Sequence, residues 1–74
     1  MPWTFKSKDF VDYYCKEEGD LEVRITKMID FNKIAVFEGD KLIESKRMGK
    51  TTQLEKLFEA GNKMLIEVKM AVGQ

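Results

Sequence analysis

The feature that most constrains this chain is the alternation of apolar residues in its last stretch, residues 63–72. Every second residue of that stretch is apolar, namely Met64, Ile66, Val68, Met70 and Val72. A period of two is typical of a β-strand with one buried face. Each such side chain contributes roughly 1.5–3 kcal/mol when it is fully buried. We therefore expect a central strand here, covered by the other elements.

The same stretch also fits a helix. Apolar residues recur at helical spacing from position 52 onwards, at Leu54, Leu57, Phe58, Leu65, Val68 and Val72. Gly61 and Asn62 count against this alternative, because Gly in a helix interior costs about 1 kcal/mol relative to Ala and is the usual residue just past a helix end. The sequence favours the strand and leaves one long helix open.

Composition limits the class of protein. The chain of 74 residues predicts one domain over residues 1–74, and a domain this small is marginally stable alone. Thirteen basic residues balance thirteen acidic ones, which is not the overall charge of a nucleic-acid binder. Cys15 is the only cysteine and histidine is absent, so neither an internal disulfide nor a Cys/His zinc site can form within one chain.

The cellular setting follows from the same features. We expect a reducing, cytoplasmic environment, the host cytoplasm if the chain is viral, because the sequence carries one cysteine. It also lacks a secretory leader and an apolar run long enough to span a bilayer, so we expect no membrane role. We expect no cofactor and no bound metal.

The sequence predicts two short helices. Ser7 is a good N-cap, Asp9 suits the first turn, and Gly19 could end a first helix in the left-handed region. Within that helix we expect Cys15 to be a small buried apolar residue. Residues 52–55 form a capping box that predicts a second helix ending at Gly61.

Three strands precede the second helix in this interpretation. Alternating residues predict strands at 21–26, 34–37 and 42–47, with turns at 30–32 and 38–41. The expected fold class is therefore α+β, in the order α-β-β-β-α-β. It has a mixed, mostly antiparallel four-stranded sheet with two short helices packed against it.

No motif indicates an enzyme. Residues 49–52 resemble the end of a phosphate-binding loop, but the position that needs the earlier glycine holds Glu44. Without histidine or a metal cluster, the chain offers no set of catalytic groups. We expect a protein that is not an enzyme.

One basic concentration supports two alternatives. Lys46, Arg47 and Lys50 lie on and after the third predicted strand. With nearby aromatic rings they could bind nucleic acid. Lys50, with the backbone N–H groups at the start of the second helix, could instead bind a small anionic ligand.

The leading hypothesis is a protein-binding module. The chain has more aromatic and methionine residues than a small core can hide, and we expect Trp3, Tyr13 and Tyr14 to provide the binding surface. Small α+β proteins of this kind are often accessory or inhibitory proteins of viruses and mobile elements. By that analogy, the module could be such a protein and bind a host protein. A homodimer could use the same surface.

Overall fold

In the computed structural model, which describes residues 3–72, each strand pairs in antiparallel fashion with its neighbour in the sequence. One helix follows the sheet. Positions 1, 2, 73 and 74 of the expected domain lie outside the described residues. The elements are β1 (Thr4–Lys8), β2 (Val11–Glu18), β3 (Leu21–Lys27), β4 (Phe31–Glu38), β5 (Lys41–Gly49) and α1 (Leu54–Val72).

The expected order α-β-β-β-α-β, with a mixed four-stranded sheet and two helices, is wrong. The described residues form one antiparallel five-stranded sheet and a single helix. The stretch predicted as the first helix belongs instead to the hairpin of β1 and β2. β1 and β2 pair from Thr4 opposite Cys15 to Lys8 opposite Val11. β2 is rich in Val, Tyr and Cys, which suit a pleated, half-buried surface. Gly19 has a positive φ of 62°, but it is the first residue of the β2–β3 turn and not a helix cap.

The expected last strand is also wrong, and the alternative of one long helix is correct. α1 continues through Gly61 to position 72. Met64, Leu65 and Val68 are buried, which is helical spacing, whereas Ile66 is exposed. A strand would have buried Ile66 beside Met64 and Val68, so the burial pattern excludes it.

The last three strands agree with the prediction. β3, β4 and β5 contain the stretches predicted at 21–26, 34–37 and 42–47, and they form the expected antiparallel meander. The β4–β5 turn has Gly39 at its first central position with a φ of 63°, where a two-residue hairpin turn favours glycine.

α1 covers one side of the sheet, called here the covered side. It packs on β3, β4 and β5, and its later turns reach β2, where Lys16 Nζ donates to Asn62 Oδ1 at 2.8 Å and Lys69 pairs with Glu18. The core lies between α1 and the sheet. Its buried members are Leu21, Val23, Ile25, Ile34, Val36, Leu57, Met64, Leu65 and Val68.

The opposite side of the sheet, called here the open face, carries no helix. Successive strand residues point to opposite sides, so the register fixes which side chains share it. One buried polar side chain lies on the covered side: Asn32 Nδ2 donates to the Gly49 carbonyl at 2.8 Å and ties the start of β4 to the end of β5. The expected turn at 30–32 lies two residues earlier, at 28–30, because Phe31 and Asn32 belong to β4.

Candidate functional site

The three aromatic residues predicted to bind a partner do not form one surface. Trp3 stacks on Phe58 of α1 with ring centroids 5.0 Å apart, and Tyr14 meets the same Phe58 edge-on at 5.4 Å. Both therefore pack against the core on the covered side. Tyr13 is the next residue of β2, lies on the open face and is only 8% exposed. These contacts are structural, and little of the three rings is left for a partner.

The predicted basic group is also divided. Lys46 is paired with Ile34 and so lies on the covered side, whereas Arg47 is paired with Lys33 and lies on the open face. Lys50 is exposed in the turn before α1. Nearby, the Thr52 backbone N–H already donates to the Gly49 carbonyl at 3.0 Å. Lys46 and Arg47 still line one small cleft beside Phe31, but Lys50 does not, so the structure does not join all three into one site.

A different apolar surface lies at the end of the sheet where the β1–β2 and β3–β4 turns meet. We call it the apolar cleft; its volume is about 470 Å³. Tyr14 forms part of its wall, and the Phe5 ring meets Tyr14 edge-on at 5.0 Å. Its remaining lining residues are Phe10, Val11, Asp12, Lys27, Met28 and Ile29.

Phe10 is the most exposed large apolar residue of the cleft. Its relative accessibility is 106%, and that of Ile29 across the cleft is 88%. Phe10 and Asp9 form the two-residue β1–β2 turn, and both have positive φ values, 66° and 53°. That is the pattern of a type I′ turn, whose second position favours glycine. A bulky side chain therefore occupies a strained position and gains no burial within the chain.

The open face has a different character. It carries rings that lie beneath guanidinium groups: Arg24 lies 5.1 Å from the centroid of Tyr13 and 4.8 Å from that of Phe37. Arg47 lies 4.4 Å from the centroid of Phe31. Such cation–π contacts hold both guanidinium planes against the sheet.

Arg24 is fixed more firmly than the other charges of this face. Its Nη2 donates to Glu22 Oε1 at 3.1 Å, which raises the pKa of the guanidinium, although its partial burial opposes this. Its Nε is buried and makes no hydrogen bond to any of residues 3–72. A side chain held by two rings and one carboxylate has little freedom to move.

Cys15 lies next to Arg24 on the open face and is buried, as the sequence predicted. Burial raises the pKa of the Cys15 thiol, and the nearby Lys6 ammonium only partly offsets this effect. The thiolate is the nucleophilic form of cysteine. Cys15 therefore lacks the low pKa and the access that a reactive thiol needs.

Neither a metal site nor a membrane span is found in the part of the chain that the structure describes. Within residues 3–72, His, Cys, Asp and Glu side chains form no group of three that could hold a metal ion. In the same residues, α1 is not apolar enough over its length to cross a bilayer.

Comparisons with known proteins add no further assignment. No family model matches the chain, and neither a curated protein nor a solved structure matches it.

The sequence-based prediction missed the apolar cleft. The available signal was the sequence of the turns themselves, since Phe10 and Ile29 lie where turn residues are usually polar, Gly or Pro. The alternation of β3 ends at Lys27, and Met28 and Ile29 continue as apolar residues in the turn. Apolar side chains in a turn cannot reach the core, so they indicate an exposed surface.

Proposed function

We propose that this protein is a protein-binding module whose recognition surface is the apolar cleft. The observation that carries the proposal is Phe10, a fully exposed ring at a turn position where glycine would be less strained. A local feature that costs stability and gains no burial is typical of a functional site. Phe10 and Ile29 take the role that the sequence suggested for Trp3, Tyr13 and Tyr14.

The shape of the surface favours a protein partner over a small molecule. A small-ligand pocket buries most of its ligand behind concave walls. Here Phe10 and Ile29 project from two turn tips, with Phe5, Val11 and Met28 between and beneath them. Projecting apolar side chains around a shallow cleft suit insertion into the surface of another protein, where large aromatic residues contribute most binding energy.

A second copy of the chain is one form that the partner can take. A formal net charge of zero gives little repulsion between copies. The protein would act as an accessory or inhibitory protein by occupying an apolar surface of its partner with the apolar cleft. The proposed setting is cytoplasmic, supported by the free, buried thiol of Cys15.

The test compares the native chain with two cleft variants, Phe10→Gly and Ile29→Ser, as tagged baits in the source organism's lysate. Ile66→Ser is the matched control, because Ile66 is an exposed apolar residue of α1 outside the cleft. We expect the native and control baits to retain the same partner and the cleft variants to lose it. With the purified partner, each cleft substitution should weaken binding by more than about 1 kcal/mol.

Self-association is measured in parallel by sedimentation equilibrium over a range of protein concentrations. A native dimer that becomes a monomer in Phe10→Gly would identify the second copy as the partner. Binding that survives both cleft substitutions, or that Ile66→Ser weakens equally, would refute the proposal. Circular dichroism of every variant shows that the fold is retained.

A further inference from the structure

We propose that the open face of the sheet is a second, independent binding surface, and that it binds single-stranded nucleic acid. Basic and acidic side chains are unevenly distributed over the sheet, although the formal net charge of the chain is zero. The strand residues of the open face include five basic and two acidic side chains. They are Lys6, Lys8, Arg24, Lys33 and Arg47, and Glu17 and Glu22.

The basic charges are concentrated at one end of this face. The register places one residue from each strand in a single row across the sheet, namely Lys6, Tyr13, Thr26, Lys33 and Arg47. No acidic residue lies in this row, and four steps between strands of about 4.8 Å make it about 19 Å long. Glu17 and Glu22 face each other further along β2 and β3, beyond the row that holds Arg24. A polyanion crossing the strands along the first row would meet only basic or neutral side chains.

The pair of Lys33 and Arg47 gives independent support. They lie directly opposite each other on β4 and β5, and both are exposed. Like charges directly opposite in a sheet destabilise it. Neither side chain makes an ion pair within residues 3–72. A phosphate between them would relieve this repulsion, so the arrangement suits a ligand that brings negative charge.

The rings of the open face favour a nucleic acid over an acidic peptide. Arg47 lies over the ring of Phe31, and the two residues line a small cleft of about 280 Å³ together with Lys33 and Lys46. Bases stack on aromatic rings and on guanidinium planes, whereas carboxylate side chains do not. An unstacked base can lie on such a platform only when the nucleic acid is single-stranded.

The experiment uses a fluorescent single-stranded oligonucleotide of twelve thymidines and measures its anisotropy as native protein is added, from 50 to 400 mM NaCl. The test variant removes three charges of the row, by Lys6→Gln, Lys33→Gln and Arg47→Gln. The matched control removes three exposed charges elsewhere, by Lys41→Gln, Lys56→Gln and Lys63→Gln. Phe31→Leu keeps an apolar side chain and removes the ring.

We expect the affinity of the native protein to fall with salt, with a slope of about −0.7 per phosphate contact. The slope of the test variant should be smaller in magnitude by about 2, because three contacts are removed. The slope of the control variant should equal that of the native protein. Phe31→Leu should weaken binding about fivefold or more at an unchanged slope, since stacking does not depend on salt. Lys33→Gln alone should also raise the melting temperature at low salt, because it removes the repulsion from Arg47. This result would show that the charge of Lys33 is not needed for folding.

Three results would each overturn the proposal. They are the absence of binding at 50 mM NaCl, an equal loss of slope in the test and control variants, and displacement of the oligonucleotide by polyglutamate at equal charge. The last result would assign the face to an acidic protein. Because Phe10→Gly lies outside the row, it should leave oligonucleotide binding unchanged, which separates this outcome from that of the apolar cleft.

Discussion

Gly61 lies directly against the indole ring of Trp3: a Cβ at position 61 would be 2.8 Å from its Cη2 atom and 3.1 Å from its Cζ2 atom. This contact explains why a glycine lies in the middle of α1, where it costs about 1 kcal/mol relative to Ala. The ring of Trp3 stacks on Phe58, three residues earlier on the same helix. Gly61, which suggests a helix end in the sequence, is therefore the residue against which Trp3 packs.

Gly61→Ala should therefore lower the free energy of unfolding by about 1 kcal/mol, because overpacking against Trp3 exceeds the gain in helix propensity. Urea denaturation measures the change, and the fluorescence of Trp3, the only tryptophan, reports displacement of its ring. The control is the same substitution in a Trp3→Ala background, where Gly61→Ala should stabilise the protein by about 1 kcal/mol. Stabilisation in both backgrounds would contradict the contact.

Leu65 and Ile66 distinguish the helix from the strand at the end of the chain. Leu65 is buried and Ile66 is exposed, whereas a strand with the predicted alternation would bury Ile66 and expose Leu65. Leu65→Ala should cost about 2–5 kcal/mol. Ile66→Ala should change the free energy of unfolding by less than about 0.5 kcal/mol. Thermal denaturation of the pair decides between the two structures, since the opposite order of stability fits only the strand.

Phe10→Gly should raise the free energy of unfolding by up to about 1 kcal/mol. The substitution relieves the left-handed conformation of a residue that gains no burial, although glycine also makes the unfolded chain more flexible. Asp9→Gly is the control and should have a smaller effect, because aspartate tolerates positive φ better than phenylalanine does. A clear loss of stability in Phe10→Gly would show that the ring supports the fold, and would remove the main support for the apolar cleft as a binding surface.

Asn32→Asp should destabilise the protein by about 2–3 kcal/mol at neutral pH, because a carboxylate cannot donate to the Gly49 carbonyl. Burial against that carbonyl raises the pKa of the introduced carboxyl group in the folded variant above the unfolded value of about 3.9. The protonated form can donate, so stability is recovered as the pH falls through the raised pKa and is fully present below about 3.9. Urea midpoints of Asn32→Asp and Asn32→Ala are measured from pH 3 to 7. The midpoint of Asn32→Asp should rise relative to that of Asn32→Ala as the pH falls.

Cys15 should make stability fall at alkaline pH. Its pKa is raised above 9.0 by burial, so the folded state favours the neutral thiol. This contribution is complete below pH 9 and is lost as the pH rises through the folded pKa. The difference in urea midpoint between the native protein and Cys15→Ala should shrink between pH 8 and pH 10.5. A midpoint difference that stays constant with pH would mean that folding does not raise the pKa of the thiol. Rapid labelling of the native protein by a thiol reagent at pH 7 would mean that Cys15 is not buried.

The last three strands of the sheet, β3 to β5, could be predicted from the sequence because their signals are local. The β4–β5 turn at Gly39 and Asp40 was recognised between two apolar runs. The same dipeptide at Gly19 and Asp20 makes an equivalent turn between β2 and β3. The sequence nevertheless indicates a helix cap at Gly19, because Ser7, Asp9 and Gly19 together resemble the two ends of a helix. The turn at Asp9 and Phe10 hid the first hairpin, since phenylalanine is not a turn signal.

The remaining features depend on contacts that are distant in the sequence. Gly61 could be explained only by Trp3, 58 positions earlier, and Asn32 only by the Gly49 carbonyl. The pairing of Lys33 with Arg47 depends on the β4–β5 register, in which the bulge between Val36 and Phe37 shifts the strands by one residue. Lys46 and Arg47 lie on opposite sides of the sheet for a simpler reason, since they are consecutive residues of β5.

The sequential order of the strands has a consequence for synthesis of the protein. Every strand pairs only with its neighbours in the chain, so the whole sheet can form once residue 49 is available, before any part of α1. Until α1 is added, the apolar side chains of Val23, Ile25, Ile34 and Val36 have no cover, and β1 and β5 offer unpaired edges. Chains stopped before α1 should therefore aggregate through a sheet that has already formed.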